Sequence, residues 1–353
     1  MARRATAQDV ADLAGVARSS VSMVFNQRAD GFLAKETQQR IREAAAQLGY
    51  TPNQVARSLR NQRSGIIGVI SDVAVTGPFD GEIIAGADRA AGEHGFVIVS
   101  ADSERRADDG AAAIAGLLGR NVDGLILLRV GMRETTVLDS FLSVPGALAN
   151  CYPRPDSSEG ALRLPVFLPD EVAGGRTAAE HLIELGHRRI AFIGGEDTAP
   201  ATWQRQEGFR LAMAAATLPV REDWVTIADY KLIPGYHAAL RMLDVPVADR
   251  PTAILMPNDR AASGALLAAA RLGLEVPGDL SIMGYDDERR LADDMVPLLS
   301  TMALPLAEMG RCAMLAVLAA INPESAGAVR LTPGPALLPC RLVVRGSTGP
   351  APS

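Results

Sequence analysis

The chain has 353 residues, of which 48% are hydrophobic, 22% charged and 4% aromatic, and it carries a formal net charge of -6. That composition builds ordinary globular cores, exceeds one compact domain and predicts two or three. Met1–Val10 has no apolar signal-peptide run, no later stretch is long and uncharged enough to span a bilayer, and Cys151, Cys312 and Cys340 have neither disulfide-framework nor metal-type spacing; a cytoplasmic protein without metal or cofactor is expected.

Charge is unevenly spread. Residues 1–63 hold ten basic against five acidic side chains, a net of +5, which leaves -11 for the remainder. A basic head on an acidic body suits a chain that meets polyphosphate with one end only. Thr6-Ala7-Gln8-Asp9 has capping-box form and predicts a helix over Ala7–Ala14. Gly15 permits a tight turn, and a second helix over Val16–Phe25 carries Val21, Val24 and Phe25 at helical spacing. A third, about Lys35–Leu48, presents Ile41, Ala44, Ala45 and Leu48 as the stripe that closes a small core. Pro52 opens a polar segment, Asn53–Arg60, too short and too poor in apolar residues to be a stable helix alone.

From Gly65 the pattern becomes strand and helix in alternation. Strands are expected at Ile66–Ile70, Phe96–Ser100, Gly124–Leu128, Ala147–Ala149, Ile190–Ile193, Trp224–Ile227, Thr252–Leu255 and Leu280–Met283. Helices are expected at Phe79–His94, Ala107–Leu118, Gly174–Leu185, Thr202–Ala216, Tyr236–Leu243 and Asp259–Leu272. Continuous apolar strands joined by helices indicate parallel sheets covered on both faces, and two successive sets predict two doubly wound subdomains. Ligands in such sheets bind beyond the carboxyl ends of the strands, here in the cleft between the subdomains. The loops contain no phosphate-cradling glycine loop with lysine, no Gly-x-Ser-x-Gly elbow and no His-Glu-x-x-His, so an enzyme is disfavoured. Gly174-Gly175 and Gly194-Gly195 read as packing or turn glycines, and His94, His181, His187 and His237 as structural.

The segment from Thr6 to Asn26, then Leu48–Asn53 and Ala56–Leu59, closely resembles the head and hinge of the lactose repressor (LacI/GalR) family. The body agrees in family order through Leu185–Gly195, Arg205 with Gly208-Phe209, Asn258-Asp259, Val276-Pro277 and Gly284–Asp287. The resemblance implies an all-α helix-turn-helix DNA-binding head over 1–51 and a hinge helix and linker over 52–63. An α/β core of two doubly wound, periplasmic-binding-protein-like subdomains follows over 64–348, then a tail over 349–353. The chain is expected to cross between subdomains near Asp170, Ser300 and Leu331. That gives an N-subdomain of about 64–169 and 302–330 and a C-subdomain of about 170–300 and 332–348, to which a strand over Leu338–Arg345 returns. The implied function is that of a sequence-specific transcriptional regulator, a repressor controlled by a small molecule. Its partners would be double-stranded operator DNA, a small-molecule effector expected to be a carbohydrate, and further copies of itself as a homodimer or dimer of dimers, with no membrane.

The outward face at the start of the second helix, Arg18, Ser19 and Ser22 with Met23, would read bases, arginine being the best general reader of guanine. Thr6, Asn26, Thr37, Tyr50 and Asn53 match phosphate-contacting positions, and Ala56 and Leu59 match the hinge positions that enter the minor groove. The effector contacts implied are Phe79, Asp80, Asn150, Arg205, Tyr230, Asn258 and Asp286. Departures from the family pattern are Met23 for Arg, Ala17 and Ala34 for capping Ser, two extra residues in Gln27–Leu33, Gly77 and Glu171 for Asn, and Ala303-Leu304 for a polar pair. Operator sequence therefore does not carry over, and an unusual sugar, a nucleoside-like molecule or no sugar at all stays open beside an ordinary sugar, as does induction beside corepression.

Overall fold

The structure, a computed structural model, describes residues 5–25, 29–50, 63–72, 78–103, 110–323 and 334–352. The chain divides into two compact units, Met1–Gly65 and Ile66–Ser353.

In the first unit α1 (Ala7–Ala14), α2 (Arg18–Phe25) and α3 (Lys35–Gln47) surround Val10, Ala11, Val21, Val24, Ile41, Ala44 and Ala45. The capping box forms: Thr6 Oγ1 accepts the Asp9 N–H at 3.3 Å while the Asp9 carboxylate accepts the Thr6 N–H at 2.8 Å. Gly15, at φ 64°, ends α1 in the left-handed conformation that a Cβ disfavours. Two expectations are corrected. The second helix starts at Arg18, after a turn that the Gly15 and Val16 N–H groups close by donating to Asp12 O and Ala11 O. Leu48 caps the end of α3 and is 37% exposed, because the chain turns away at Gly49; Tyr50 packs on that core instead, edge-on to Phe25 with ring centroids 5.6 Å apart. Of the hinge helix and linker expected over 52–63, all but Arg63 lies outside the described residues.

The first half of the second unit runs β1 (Ile66–Ser71), α4 (Pro78–Glu93), β2 (Val97–Asp102), α5 (Ala111–Leu118), β3 (Gly124–Thr135), β4 (Gly146–Pro153), α6 (Glu159–Leu162) and β5 (Val166–Pro169). The second half runs α7 (Glu171–Glu184), β6 (Ile190–Gly194), α8 (Pro200–Ala215), β7 (Val225–Ile227), α9 (Leu232–Leu243), β8 (Ala253–Leu255), α10 (Asp259–Arg271), β9 (Ser281–Asp286), α11 (Arg289–Ala292) and β10 (Ser300–Ala303). Then come α12 (Leu306–Ile321), β11 (Ala336–Leu338) and β12 (Arg341–Val343).

One sheet has the order β11-β5-β4-β3-β1-β2, all parallel, and the other β12-β10-β9-β8-β6-β7, parallel except for β12, which runs antiparallel to β10. The expected strands read as continuous apolar runs because each sheet is covered on both faces. The first passage between the sheets falls at Asp170. The second follows Ala303 rather than Ser300, since β10 pairs with β9; the third follows Leu338 rather than Leu331, since β11 pairs with β5. The returning strand is accordingly Arg341–Val343, shorter than Leu338–Arg345. The C-terminal residues pack on the second half: the Ala351 N–H donates to Leu185 O at 2.9 Å, and buried His187 gives its Nε2 hydrogen to Gly349 O at 3.1 Å.

Paired glycines set the helix crossings. A Cβ on Gly86 would strike the Ala307 carbonyl and one on Gly310 the Ile83 carbonyl, so α4 and α12 touch backbone to backbone. Gly175 and Gly208 do the same for α7 and α8, and Gly235 and Gly264 for α9 and α10. Gly175 is thus a helix-packing residue, and its contact with the Arg205 backbone brings Arg205 beside the start of α7.

Candidate effector cavity and nucleic-acid face

A cavity of about 510 Å³ opens at the carboxyl ends of both sets of strands, within the usual range for small-molecule sites. The first sheet and its crossover supply a mainly apolar wall: Phe79 at the start of α4, Val130 and Met132, and Leu304 and Leu306. Val130 and Met132 reach the cavity because pairing of β3 with β4 is interrupted between Leu128 and Arg133, which bulges the intervening residues opposite Asn150. Asn150, held at φ 55°, ties that bulge down by donating Nδ2 to Arg129 O at 3.0 Å.

The second sheet supplies the polar wall. Gly194 and Gly195 leave room for Thr202 and for the Tyr230 ring, whose hydroxyls hydrogen-bond at 3.0 Å. Asn258 caps α10 by accepting the Ala261 N–H at 2.9 Å and donates Nδ2 to Tyr230 O at 3.1 Å, locking the loop after β7 to the loop after β8. Arg205, 5% exposed, lies with its guanidinium carbon 3.6 Å from the centre of the Tyr285 ring. Its Nε and Nη2 each donate to one oxygen of Glu171 at 2.8 Å, Nη1 donates to Pro257 O at 2.6 Å, and Nη2 also reaches Asp286 Oδ1 at 3.5 Å. Burial alone would lower the Arg205 pKa, but the adjoining Glu171 carboxylate and then Asp286 carry it well above the usual value. Burial pushes the Asp286 carboxyl well above the ordinary carboxylate range despite Arg205 beside it.

Six of the seven expected effector contacts therefore line one cavity: Phe79, Asn150, Arg205, Tyr230, Asn258 and Asp286. Asp80 does not. It is fully buried behind the wall, where its carboxylate takes the hydroxyl hydrogen of Ser71 at the end of β1. The main partner of Arg205 is Glu171, noted in the sequence only as a substitution for Asn. The β3 bulge and the rim residues Glu196 and Arg260 carry no local sequence signature.

On the head, Arg18 and Ser19 are exposed at the first turn of α2, with Ser22 partly exposed one turn later and Thr37 partly exposed on α3. Met23 is packed against the head core, because it neighbours the buried pair Val21 and Val24, and so offers only part of its side chain outward. Ala34 gives α3 no side-chain cap. Asn26, Asn53, Ala56, Leu59 and the substituted Gly77 lie outside the described residues. Among the described residues no cluster of side chains is arranged to hold a metal ion, and no helix is long and apolar enough to cross a membrane.

Residues 6–53 match the bacterial regulatory proteins of the lacI family, and residues 179–348 match a periplasmic binding protein-like domain. The chain is 33% identical to the ribose operon repressor of Escherichia coli (strain K12), over 88% of this chain and 91% of that protein. It is 31% identical to the transcriptional repressor PurR of Photorhabdus laumondii, over 97% and 98% of the respective chains. Among solved structures it superposes on the lac repressor dimer bound to operator and the anti-inducer ONPF with a TM-score of 0.72 and 28% identity, over 98% of this chain and 100% of that one. The chain belongs to the LacI family of bacterial regulatory proteins. It is a transcriptional regulator with a DNA-binding helix-turn-helix head and a ligand-binding body, and its relatives are repressors rather than enzymes.

Proposed function

We propose that this regulator works in the cytoplasm as a homodimer, or a pair of dimers, on a near-palindromic operator, and that a polyhydroxylated small molecule in the cavity sets its operator affinity. Arg18, Ser19 and Ser22 read base edges, with Met23 contributing at its exposed edge, while Thr6, Asn26, Thr37, Tyr50 and Asn53 hold phosphates. Ala56 and Leu59 enter the minor groove from a hinge helix that forms only with DNA and a partner subunit. Phe79 and Tyr230 cover an apolar ligand face, and Asn150, Asn258 and Asp286 take its hydroxyls. Arg205 offers the ligand its one N–H not directed at a protein partner.

The observation that carries this reading is the cavity itself. Its two walls come from different sheets joined by three chain passages, so a ligand spanning them prefers one relation of the sheets and, by linkage, one affinity for DNA. Selection of bound sequences from random duplex DNA, followed by a metabolite screen that watches for release or tightening, tests it. A ligand that binds the body without changing operator affinity contradicts it.

A further inference from the structure

The two walls of the cavity differ in chemistry. Among the described residues, the second sheet and its loops contribute Thr198, Arg205, Tyr230, Asn258 and Asp286, side chains of the kind that meet ligand hydroxyls. The first sheet and its crossover contribute Phe79, Val130, Met132, Leu304 and Leu306, with Arg133 and Asn150 as the polar side chains beside them. Arg133 is tied to Asp72, and Asn150 gives an amide hydrogen to Arg129 O at 3.0 Å. Phe79, Leu304 and Leu306 continue the core on one face of the first sheet and Met132 the core on the other, so this wall is an extension of packed structure. Leu304 stands where the family pattern has a polar pair, and its N–H donates to Asp286 O at 3.3 Å, which fixes it where the chain leaves β10.

A free sugar carries hydroxyls around its whole rim, and those facing the apolar wall would give up water without finding partners. Size points the same way. Even at a water molecule's share of about 30 Å³ for each of its twelve non-hydrogen atoms, a hexose takes up about 360 Å³ of a cavity of about 510 Å³. We propose that the effector is a two-part molecule, a hydroxylated ring held by the second sheet and joined to an aromatic ring that lies against Val130, Met132, Leu304 and Leu306, as in an aryl glycoside. The inference rests on the reading of the cavity as the effector site and adds the chemistry of the ligand's second half.

An aromatic ring suits this wall by shape and by chemistry. It is flat and rigid, so it buries a large apolar area with little loss of freedom, and Phe79 offers it a second ring to pack on. Met132, brought to the cavity by the β3 bulge and 4% exposed, adds a polarisable thioether, a group that contacts ring edges favourably. A nucleoside fits less well, since the nitrogens and carbonyls of its base would meet the same wall and stay unpaired. Leu304 is the residue that sets the preference, because it alone of the five replaces a polar group of the family pattern noted in the sequence.

The test is calorimetry on the full chain with glucose, galactose, mannose and ribose, each beside its methyl and phenyl glycosides, and with adenosine and uridine. Within at least one set the phenyl glycoside is expected to bind at least about 10-fold more tightly than the methyl glycoside and the free sugar, and more tightly than either nucleoside. Leu304→Gln returns a polar group to the wall and should reduce that preference several-fold, with melting curves confirming that the variant folds. A second readout uses the unaltered wall: in protein carrying methyl-labelled methionine, the Met132 resonance, assigned by its loss in Met132→Leu, should be moved by the ring current of the phenyl glycoside and not by the methyl glycoside. No set with that preference, a nucleoside that binds as tightly, a preference that folded Leu304→Gln leaves intact, or an unmoved Met132 resonance overturns the proposal. Operator binding measured alongside separates the two levels: a free sugar or nucleoside that changes operator affinity while the phenyl glycosides do not sinks the aromatic half alone, whereas no probe changing it counts against the effector reading as well.

Discussion

Arg205 and Glu171 meet fork to fork, with two N–H···O bonds of 2.8 Å between side chains that are 6% and 2% exposed. The geometry originates in backbone packing. Gly175 and Gly208 let α7 and α8 approach until the two side chains, 34 positions apart, meet at the mouth of the second sheet. Lysine cannot reproduce this contact, because a single ammonium does not span two oxygens and a carbonyl together.

A double-mutant cycle measures the pair. Glu171→Leu strands a buried guanidinium and Arg205→Met a buried carboxylate, and each is expected to lower the unfolding free energy by about 3–5 kcal/mol. The double variant should lose clearly less than the sum, because neither charge is then left alone. Urea denaturation of all four proteins checks this, and additivity within about 0.5 kcal/mol would mean that the two are not coupled.

Two glycines on the same helix pair should respond with opposite signs to alanine. At Gly310 a new methyl meets the Ile83 carbonyl across the α4–α12 crossing, and overpacking of this kind costs about 1–3 kcal/mol. At exposed Gly92 on α4 it meets nothing within 4 Å, so Gly92→Ala should stabilise by up to about 0.5–1 kcal/mol through helix propensity. Shifts of the urea midpoint in the same direction would contradict the crossing geometry.

Asp259 gives a pH signature. Burial raises its carboxyl from 3.8 to about 7, although Thr301 Oγ1 and the Glu288 N–H both donate to it at 2.7 Å. A raised folded pKa means that its contribution to stability is fully present below about pH 4 and is lost as pH rises through about 7. His181 and His187, whose pKa values burial lowers from 6.5, slope the other way and cancel when wild type is compared with Asp259→Asn. Wild type should therefore lose stability relative to that variant between pH 4 and 8; a flat or rising difference would show that Asp259 is charged throughout.

How much of this was legible in the sequence depended on whether the signal was local. The capping box at Thr6, the turn at Gly15 and the strands that begin at Ile66, Gly124 and Ile190 rest on neighbouring residues and emerge as read. The short strands β5, β10 and β11 were not legible: three or four residues hold no periodicity, and their membership depends on partners as distant as Phe167 from Ala336. The same limit moved two of the chain passages. In the cavity, Arg205, Asn258 and Asp286 were found through motif order, but the identity of the Arg205 partner was not, because helix packing rather than sequence spacing brings Glu171 to it. Asp80 was misplaced because its chain position beside Phe79 does not reveal that it turns back toward Ser71.

On the head, Arg18 is exposed at the first turn of α2, where a side chain reaches furthest into a major groove. Arg18→Ala should weaken binding to a selected operator by about 1–3 kcal/mol and relax preference at one base in each half-site. Exposed Arg40 on α3 serves as the comparison: Arg40→Ala should leave every base preference unchanged, whatever its effect on affinity. Repeating the selection from random DNA with each variant distinguishes a base reader from a general cation, and an unaltered base profile for Arg18→Ala would remove it from the readout.

The central claim, that this chain reads a two-fold operator under ligand control, is tested most directly by sizing the complex on its selected site while salt and ligand are varied. Two subunits are expected per near-palindromic site, with an affinity that falls steeply from low to moderate salt as phosphate counterions are released and shifts further when the cavity is filled. One subunit per site, or an affinity indifferent to both salt and ligand, would contradict it.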